Sequence, residues 1–343
     1  MPKYTETTDA YFERVEETLD YANKNPLVTA EVIADQFPDG ESEVYAGLDE
    51  ALEILEGLPV TVETIPEGTL IDGGPVMNIH GRYRDFARYE TPLLGVLSHA
   101  SGIATRAAKV VQSAGETPVY SFGSRHVHPK LAHTLERSAY IGGVAGYSNI
   151  AADLPIEPTG TMPHALMLSF QDTYSAWRSF NNAVDDDIPR IVLVDTFTDE
   201  VDETLKAVYE LGDDLDAVRL DTTGSRRGDF KHIIKEVRYH LDKNGRPDVD
   251  IIVSGGLGAE EVYDLHRIVD GFGVGGYISD ANPVDFSLDI VEVDGTDACK
   301  RGKLPGVKDL GVDPVIIDGE LQATVDVEMS RLDVQEQLQD EIL

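Results

Sequence analysis

The sequence is poor in cysteine and in basic residues, and it contains no long apolar run. Cys299 is the one cysteine among 343 residues, which excludes a framework of disulfide bonds and fits a reducing compartment. No run approaches the roughly 18 apolar residues of a membrane-spanning helix, and the polar, acidic residues 1–11 do not resemble a signal peptide. We therefore expect a cytoplasmic protein without a membrane partner.

Basic residues are far outnumbered by acidic ones. The 28 Lys and Arg residues face 63 Asp and Glu residues, which gives a formal net charge of −35 at pH 7. A field of that sign repels nucleic acid, so we expect no nucleic-acid partner. The acidic residues are spread along the whole chain, as in proteins of high-salt cytoplasm, where salt screens their mutual repulsion. We predict a halophilic protein in which few acidic residues have a specific role.

The apolar pattern divides the chain into three parts, 1–116, 117–280 and 281–343. The first part is predicted to contain amphipathic helices, short strands and a long linking helix: helices at 11–22 and 42–58, strands at 59–65 and 75–79, and the linking helix at 90–114. The last part is too small for a core of its own. We expect it to return to the first part, so that the two form an open-faced α+β sandwich domain.

In residues 117–280, short apolar runs alternate with amphipathic helices. The runs are 118–122, 140–144, 188–194, 216–220, 249–253 and 272–278, and the helices are 128–138, 164–182, 201–211, 230–243 and 259–269. This alternation is typical of a parallel sheet or barrel with helices outside. An eight-stranded barrel would need two more units, so the predicted fold is α/β with an incomplete or irregular (β/α) barrel.

Candidate ligand-binding side chains follow the predicted strands, because such groups gather at the carboxyl ends of parallel strands. They are Phe122, Arg125, Asp195, Arg219 and Asp221. Arginine makes bidentate contacts with phosphate or carboxylate, although an ion pair to one of the many acidic residues is the alternative. The two aspartates could anchor Mg²⁺ or hold ribose hydroxyls. The aromatic ring could stack on a flat substrate or simply pack in the core.

Two glycine pairs mark the last two predicted strands: Gly255-Gly256 follows one strand, and Gly275-Gly276 lies within the other. Glycine lets the backbone approach a ligand and expose successive N–H groups, and late barrel strands commonly hold phosphate. The pairs predict a phosphate site, with tight turns as the alternative. His126, His128 and His164 are candidate proton or phosphate carriers. The residues alone leave the substrate open.

Short segments along residues 8–303 share their order and spacing with one enzyme family. They include Thr8-Asp9-Ala10-Tyr11, Glu90-Thr91-Pro92, Ser101-Gly102-Ile103-Ala104-Thr105, Phe122-Gly123-Ser124-Arg125, Gly160-Thr161-Met162-Pro163-His164, Val194-Asp195-Thr196, Arg219-Leu220-Asp221 and Ser254-Gly255-Gly256. On these segments the chain resembles the nicotinate phosphoribosyltransferases, within the type II phosphoribosyltransferases. The resemblance implies the formation of nicotinate mononucleotide and pyrophosphate from nicotinate and phosphoribosyl pyrophosphate, as a step of NAD biosynthesis.

The resemblance also implies roles for single residues. Phe122 would stack on the nicotinate ring, with Tyr11 of the partner subunit on the other face of a homodimer or higher homo-oligomer. Arg125 and Arg219 would bind phosphates or the nicotinate carboxylate, Asp221 would hold ribose hydroxyls, and the glycine pairs would hold the 5′-phosphate. Substrate contacts are implied for Thr161 and Asp195. The histidine that matches His164 is phosphorylated by ATP in related enzymes, so ATP coupling and Mg²⁺ are expected.

Nicotinamide in place of nicotinate is poorly separated by the sequence, and two further alternatives remain open at this point. One is a quinolinate phosphoribosyltransferase, a decarboxylating relative whose linking helix begins with an arginine where this chain has Glu90. A negative residue there disfavours a substrate with two carboxylates. The other is a non-catalytic protein that binds a phosphosugar on the same fold. No zinc site is predicted, because one cysteine cannot supply the about four ligands of a tetrahedral site.

Overall fold

The computed structural model describes residues 4, 6–40, 42–152, 154–160 and 162–340. The strands are β1 (Leu27–Gln36), β2 (Glu43–Val44), β3 (Val60–Thr64), β4 (Leu70–Ile71), β5 (Gly74–Arg82), β6 (Val119–Ser121), β7 (Gly146–Tyr147), β8 (Ile191–Leu193), β9 (Ala217–Leu220), β10 (Asp250–Ser254), β11 (Gly271–Val274), β12 (Asp285–Val293), β13 (Thr296–Asp297), β14 (Ile316–Ile317) and β15 (Glu320–Leu321). The helices are α1 (Ala10–Tyr21), α2 (Leu48–Leu55), α3 (Tyr83–Phe86), α4 (Glu90–Ala114), α5 (Ala132–Ile141), α6 (His164–Phe170), α7 (Thr173–Ala183), α8 (Glu200–Leu211), α9 (Gly224–Arg227), α10 (Phe230–Lys243), α11 (Ala259–Leu265), α12 (Gly276–Ser279) and α13 (Val327–Asp340). None of the helices so described is long and apolar enough to cross a membrane.

The chain divides into two compact units. Unit 1 comprises Met1–Ala108, Ser138–Gly143 and Ala281–Leu343, and unit 2 comprises Lys109–Arg137 and Val144–Asp280. Residues from both ends of the chain therefore belong to unit 1. The helix predicted at 90–114 is confirmed with those bounds as α4, and the unit boundary falls within it.

Unit 1 is built on a sheet that, in the described residues, has seven strands in the order β13-β12-β1-β5-β3-β14-β15. Every pairing in it is antiparallel, and β1 lies between β12 and β5. The sequence pattern predicted no strand at β1, although Val28, Ala30 and Val32 are buried core residues there. Asp318-Gly319 form the turn that joins β14 to β15, with both residues at positive φ.

The helix predicted at 42–58 is wrong over its first part, since α2 begins only at Leu48. Gly47 has φ +92, and an added Cβ there would lie 2.8 Å from the Cβ of Ala100, so the chain turns at a position that only glycine fits. The buried carboxylate of Glu67 accepts hydrogen bonds from the backbone N–H groups of Gly47 (2.7 Å) and Leu48 (2.9 Å). The N-terminus of α2 is thus satisfied by a residue that follows it in the chain.

Unit 2 contains a parallel sheet whose described strands run in the order β7-β6-β11-β10-β9-β8. All its pairings are parallel. The sheet is open, because neither β7 nor β8 pairs with a further described strand. The mixed α/β fold with an incomplete barrel is confirmed, whereas the sandwich arrangement of the other domain stays a prediction.

Three predicted elements of this region are wrong. The strand predicted at 272–278 ends at Val274 as β11, and Gly276–Ser279 form the helix α12. The apolar run at 140–144 is not a strand: α5 continues to Ile141, and Gly142 with Gly143 (φ +101) ends it before β7. A short apolar run fits a buried helical end as well as a strand, so periodicity could not separate them. The helix predicted at 164–182 is interrupted at Gln171 (φ +56), and the Asp172 side chain caps the new helix α7 by accepting from the Ser175 N–H at 3.0 Å.

Candidate active site

A cavity of about 1190 Å³ lies in unit 2, beside the carboxyl ends of the parallel strands β6, β9, β10 and β11. Most of the predicted site residues line it: Phe122, Arg125, Arg219, Asp221, Gly255, Gly256, Gly275 and Gly276. They meet there because the strands run parallel, so that the turns after each strand lie along one edge of the sheet. Choosing residues at the carboxyl ends of the predicted strands thus identified side chains that are far apart in the sequence but close in the structure.

Phe122 packs directly on the backbone of β11. An added Cβ at Gly273 would fall within 2.6 Å of the Phe122 Cδ2 atom, so the ring occupies the space that a side chain would need. The 3₁₀ turn Gly123–His126 follows Phe122 and carries Arg125 and His126 into the cavity lining. Gly273 therefore fixes where the aromatic ring can lie.

We expect Gly273→Ala to lower the free energy of unfolding by about 1–3 kcal/mol, because the new methyl group must push Phe122 or the strand aside. Gly271→Ala is the matched control on the same strand, since an added Cβ there meets its nearest atom at an ordinary 3.4 Å. Urea denaturation of both variants measures the difference. Equal stabilities of the two variants would show that the Phe122 ring moves aside without lowering the free energy of unfolding.

Asp195 holds the two neighbouring segments of the site together. Its side chain is 4% exposed, its Oδ1 lies 2.8 Å from His164 Nε2, and its Oδ2 accepts from the Asp221 backbone N–H at 2.8 Å and the Thr222 hydroxyl at 3.2 Å. The hydrogen bond to Asp195, together with the charges of Asp195 and Asp221, raises the pKa of His164 above its ordinary value, against the opposing effect of burial. Both carboxylate oxygens of Asp195 are thus engaged within the protein.

Asp221 is the more accessible of the two predicted aspartates, with 28% of its side chain exposed. Its Oδ1 accepts from the Ser254 hydroxyl at 2.9 Å. Its Oδ2 lies 4.0 Å from both His164 Nδ1 and Arg219 Nη2. One oxygen is therefore held by the protein, and the other is placed among the charged groups of the cavity.

Arg219 lies on β9, and its side chain is 12% exposed. Its guanidinium carbon lies 5.8 Å from the centre of the Phe122 ring. Burial lowers the pKa of Arg219, and the nearby carboxylates of Asp221 and Asp195 counter that shift. An arginine stays charged under such a shift because its ordinary pKa is so high. The cavity thus combines a fixed cation with an aromatic face.

The glycine turns bring bare backbone to the cavity. Gly255 (φ +93) and Gly256 (φ +67) are left-handed, and an added Cβ at Gly255 would lie 2.9 Å from Asp221 Oδ1. An added Cβ at Gly275 would lie 3.0 Å from the Phe122 carbonyl oxygen and 3.5 Å from His126 Nε2. These positions require glycine for conformation or for space.

Several lining residues were not predicted, among them Ser124, Ser148, Asn149, Thr223 and Tyr277. Ser124 donates a hydrogen bond of 2.5 Å to the buried carboxyl of Glu136, whose pKa is raised by burial. Thr223 could have been found, since it follows Asp221 at a strand end. Ser148 and Asn149 follow β7, and the misassigned strand at 140–144 hid them.

Four predicted residues, His128, His164, Asp195 and Tyr11, are not among the described residues that line the cavity. His164 is next to the site through its contacts with Asp195 and Asp221, but it is not among the described residues that line the cavity. Tyr11 belongs to unit 1, is 50% exposed, and has its ring 4.4 Å from that of Phe12. Thr161 lies outside the described residues. The roles implied for Tyr11 and Thr161 stay predictions.

The described residues contain no group of three or more His, Cys, Asp or Glu side chains placed to hold a metal ion by themselves. A Mg²⁺ ion usually takes one or two carboxylates together with substrate phosphates. Asp221 can offer one oxygen in that way, whereas Asp195 cannot, because its oxygens already accept hydrogen bonds. The residues fit a Mg²⁺ that arrives with a phosphorylated substrate.

Two family models cover most of the chain. The quinolinate phosphoribosyl transferase N-terminal domain matches residues 9–101, and the C-terminal domain of the same enzyme matches residues 103–289. The chain belongs to the quinolinate phosphoribosyl transferase family. All the described residues that line the cavity fall within 103–289, the range that matches the C-terminal domain.

Solved structures agree with this membership. A nicotinate-nucleotide pyrophosphorylase from Pyrococcus furiosus superimposes with a TM-score of 0.94 at 41% identity, over 99% of this chain and 96% of that one. Human nicotinic acid phosphoribosyltransferase shares the fold, with a TM-score of 0.75 at 18% identity over 97% of this chain and 93% of that one.

Curated relatives match over part of their length. A nicotinate phosphoribosyltransferase of Mycobacterium tuberculosis is 33% identical over 253 residues, which are 70% of this chain and 55% of the relative. One of Bacillus subtilis is 26% identical, over 74% of this chain and 59% of the relative. The chain therefore spans little more than half the length of these relatives.

The prediction of a nicotinate phosphoribosyltransferase, and with it the ATP-coupled, ligase-type reaction, is wrong. The family models and the Pyrococcus furiosus structure, which matches almost the whole chain, overturn it. The segments that suggested it, at 122–125, 219–221 and 254–256, lie around the cavity.

Glu90 does not exclude a substrate with two carboxylates, for an electrostatic reason. Burial, with a further contribution from Asp289, raises the pKa of Glu90 to about 7, and Lys300 only partly offsets the shift. The residue is therefore not a fixed negative charge near neutral pH. Glu90 also belongs to unit 1, whereas the described residues that line the cavity belong to unit 2.

Proposed function

We propose that this protein is a quinolinate phosphoribosyltransferase. It would transfer the phosphoribosyl group of phosphoribosyl pyrophosphate to the ring nitrogen of quinolinate, releasing pyrophosphate and carbon dioxide and leaving nicotinate mononucleotide. The observation that carries the proposal is the cavity that joins Arg219, Asp221 and the glycine turns in a chain of this family. Family membership supports the reaction, and the geometry supports the division of roles.

The pyridine would lie against Phe122, with its two carboxylates facing cationic side chains. Arg125 and Arg219 both line the cavity, and a guanidinium group binds a carboxylate through two parallel hydrogen bonds. Phe122 is placed near Arg219, so an aromatic acid could meet the ring and the cation at once. A substrate with two carboxylates can use both arginines.

The phosphoribosyl donor would lie along the glycine turns. The backbone at Gly255, Gly256, Gly275 and Gly276 can approach the phosphate closely, and the accessible oxygen of Asp221 can hold a ribose hydroxyl. Asp221, with oxygens of the donor's own diphosphate, would hold Mg²⁺. A bound Mg²⁺ would neutralise part of the negative charge on the departing pyrophosphate.

The chemistry is a displacement at the anomeric carbon of the ribose. The bond from that carbon to pyrophosphate breaks, positive charge develops on the sugar, and the pyridine nitrogen forms the new bond. The Asp221 carboxylate beside the sugar would stabilise that positive charge, and the cavity would hold the reactants in line. The bond between the adjacent ring carbon and its carboxylate then breaks and carbon dioxide leaves. The electron pair of that bond stays on the ring carbon, where the positively charged nitrogen beside it stabilises the negative charge, and that carbon takes a proton from water.

The proposal includes a homodimer with shared active sites. Its support is the Tyr11 ring, which is half exposed in one copy of the chain and so accessible to a second copy. Sedimentation of the protein in high salt would show whether a dimer forms. We expect one.

The test is a panel of pyridines. The protein, in high-salt buffer with Mg²⁺ and phosphoribosyl pyrophosphate, is offered quinolinate, nicotinate or nicotinamide, each with and without ATP. We expect pyrophosphate and carbon dioxide in equal amounts with quinolinate, with no dependence on ATP. Product from nicotinate alone, or from no pyridine, would refute the proposal.

A further inference from the structure

Two turns that line the cavity lie side by side in unit 2. One follows β9 and contributes Asp221, Thr223 and Gly224, and the other follows β10 and contributes Ser254 to Gly258. The strands are paired in parallel up to Leu220 and Val253. Beyond these residues the ladder ends, so the two turns need other contacts to keep their positions.

Arg227, at the end of α9, joins the two turns. Its Nε and Nη2 atoms donate to the Thr222 carbonyl oxygen at 3.0 and 2.8 Å, and Nη2 also donates to the Gly255 carbonyl oxygen at 3.0 Å. Its guanidinium carbon lies 4.1 Å from the centre of the buried Phe230 ring. Charged donors make the stronger hydrogen bonds, so one side chain fixes both backbones.

These bonds set the direction of two peptide groups. In a trans peptide the C=O of one residue and the N–H of the next point in opposite directions, and the described residues contain no cis peptide. With the carbonyls of Thr222 and Gly255 turned toward Arg227, the N–H groups of Thr223 and Gly256 point away from it. Thr223 and Gly256 both line the cavity.

We propose that Arg227 is a positioning residue that orients the amides of Thr223 and Gly256 for the anionic oxygens of the phosphoribosyl donor. Oriented backbone N–H groups form the concave sites that proteins use for phosphate. This inference rests on the proposed function for the identity of the ligand. Arg227 acts through the backbone, since it is not among the described residues that line the cavity.

Arg226 provides a matched control on the same helix. Its side chain is 58% exposed and lies 3.7 Å from Glu200 Oε2, beyond hydrogen-bond distance. Replacing it removes the same charge close to the same place and leaves the three bonds of Arg227 intact. Arg226→Met therefore separates the effect of charge from the effect of the bridge.

The test uses Arg227→Met, Arg227→Lys and Arg226→Met in the full chain. Hydrogen exchange without ligand should be faster in both segments, 221–224 and 255–258, for the two Arg227 variants and unchanged for Arg226→Met. The calorimetric Kd for phosphoribosyl pyrophosphate with Mg²⁺ should rise about tenfold in both Arg227 variants, because lysine lacks the planar fork by which Nε and Nη2 donate together. The KM for the pyridine should stay within about twofold, since the bridge lies at the donor turns.

The outcomes separate this inference from the proposed function. Unchanged exchange at 255–258 in Arg227→Met, or faster exchange with an unchanged donor Kd, would overturn the role of Arg227. Full rescue by Arg227→Lys would also overturn it, because charge alone would then suffice. A third result is that the unaltered protein binds the donor and the variants show the expected exchange pattern, but the unaltered protein makes no product from quinolinate. In that case the proposed function fails and the role of Arg227 stands.

Discussion

Replacing Arg219 with alanine is expected to lower kcat/KM for phosphoribosyl transfer to quinolinate about a thousandfold. The guanidinium is nearly buried on a strand, 5.8 Å from the Phe122 ring centre and 4.0 Å from Asp221 Oδ2. Loss of a charged contact with an anionic substrate in such a place costs about 4 kcal/mol, and each 1.36 kcal/mol is about tenfold in rate. Steady-state kinetics in high salt measure the effect.

Two further variants show whether the loss of activity is specific to the guanidinium group of Arg219. Arg219→Lys keeps the charge but loses the planar fork, so we expect an intermediate loss. Arg226→Ala removes an exposed arginine that lies outside the described lining and should leave kcat/KM within about threefold. A loss below tenfold in Arg219→Ala, with the fold intact by circular dichroism, would remove Arg219 from the binding machinery.

Replacing Arg190 with alanine is expected to lower the free energy of unfolding by about 3–5 kcal/mol, without a direct effect on the cavity. The Arg190 side chain is 7% exposed and closes the loop between α7 and β8. It donates to the side chain and carbonyl of Asn181 at 2.7 and 3.1 Å, to the Asp185 and Val184 carbonyls at 2.7 and 3.2 Å, and to the Ile188 carbonyl. Its loss leaves four backbone carbonyl groups of this loop without their guanidinium donor.

Arg178→Ala is the control for that experiment. Arg178 also lies on α7 and pairs with Glu210 at 2.6 Å, but its side chain is 62% exposed. Exposed ion pairs contribute little to stability, so urea denaturation should separate the two variants clearly. Similar losses in both would mean that the loop before β8 rearranges and satisfies its own carbonyls.

The sequence predicted where the site lies better than how the rest of the chain folds around it. Phe122, Arg219 and Gly255 come together because each follows or ends a strand of one parallel sheet. That relation depends on chain direction alone, so it can be read without knowing any contact. Ser148 was not found in this way, because β7, the strand directly before it, has only two residues, too few to show a period.

Features made by distant residues could not be predicted in this way. The start of α2 depends on Glu67, and the break at Gly47 depends on the nearby Ala100. The chemical state of Glu90 depends on burial and on Asp289, neither of which is visible in local spacing. Local sequence patterns show periodicity, whereas these features depend on three-dimensional neighbours. The choice between nicotinate and quinolinate rested on one such feature, the charge of Glu90.

The central position of β1 constrains the order in which a nascent chain can fold. Val32 pairs with Met77 on one side but with Leu288 on the other, and Leu27 N–H bonds Asp294 Oδ1 across 267 residues. On the ribosome, β12 emerges only after every described strand of the parallel sheet has been made. Until then one edge of β1 stays open, and an open strand edge invites pairing with other chains. Fragments that end before Asp285 should therefore aggregate, and chaperone demand should fall once β12 has left the exit tunnel.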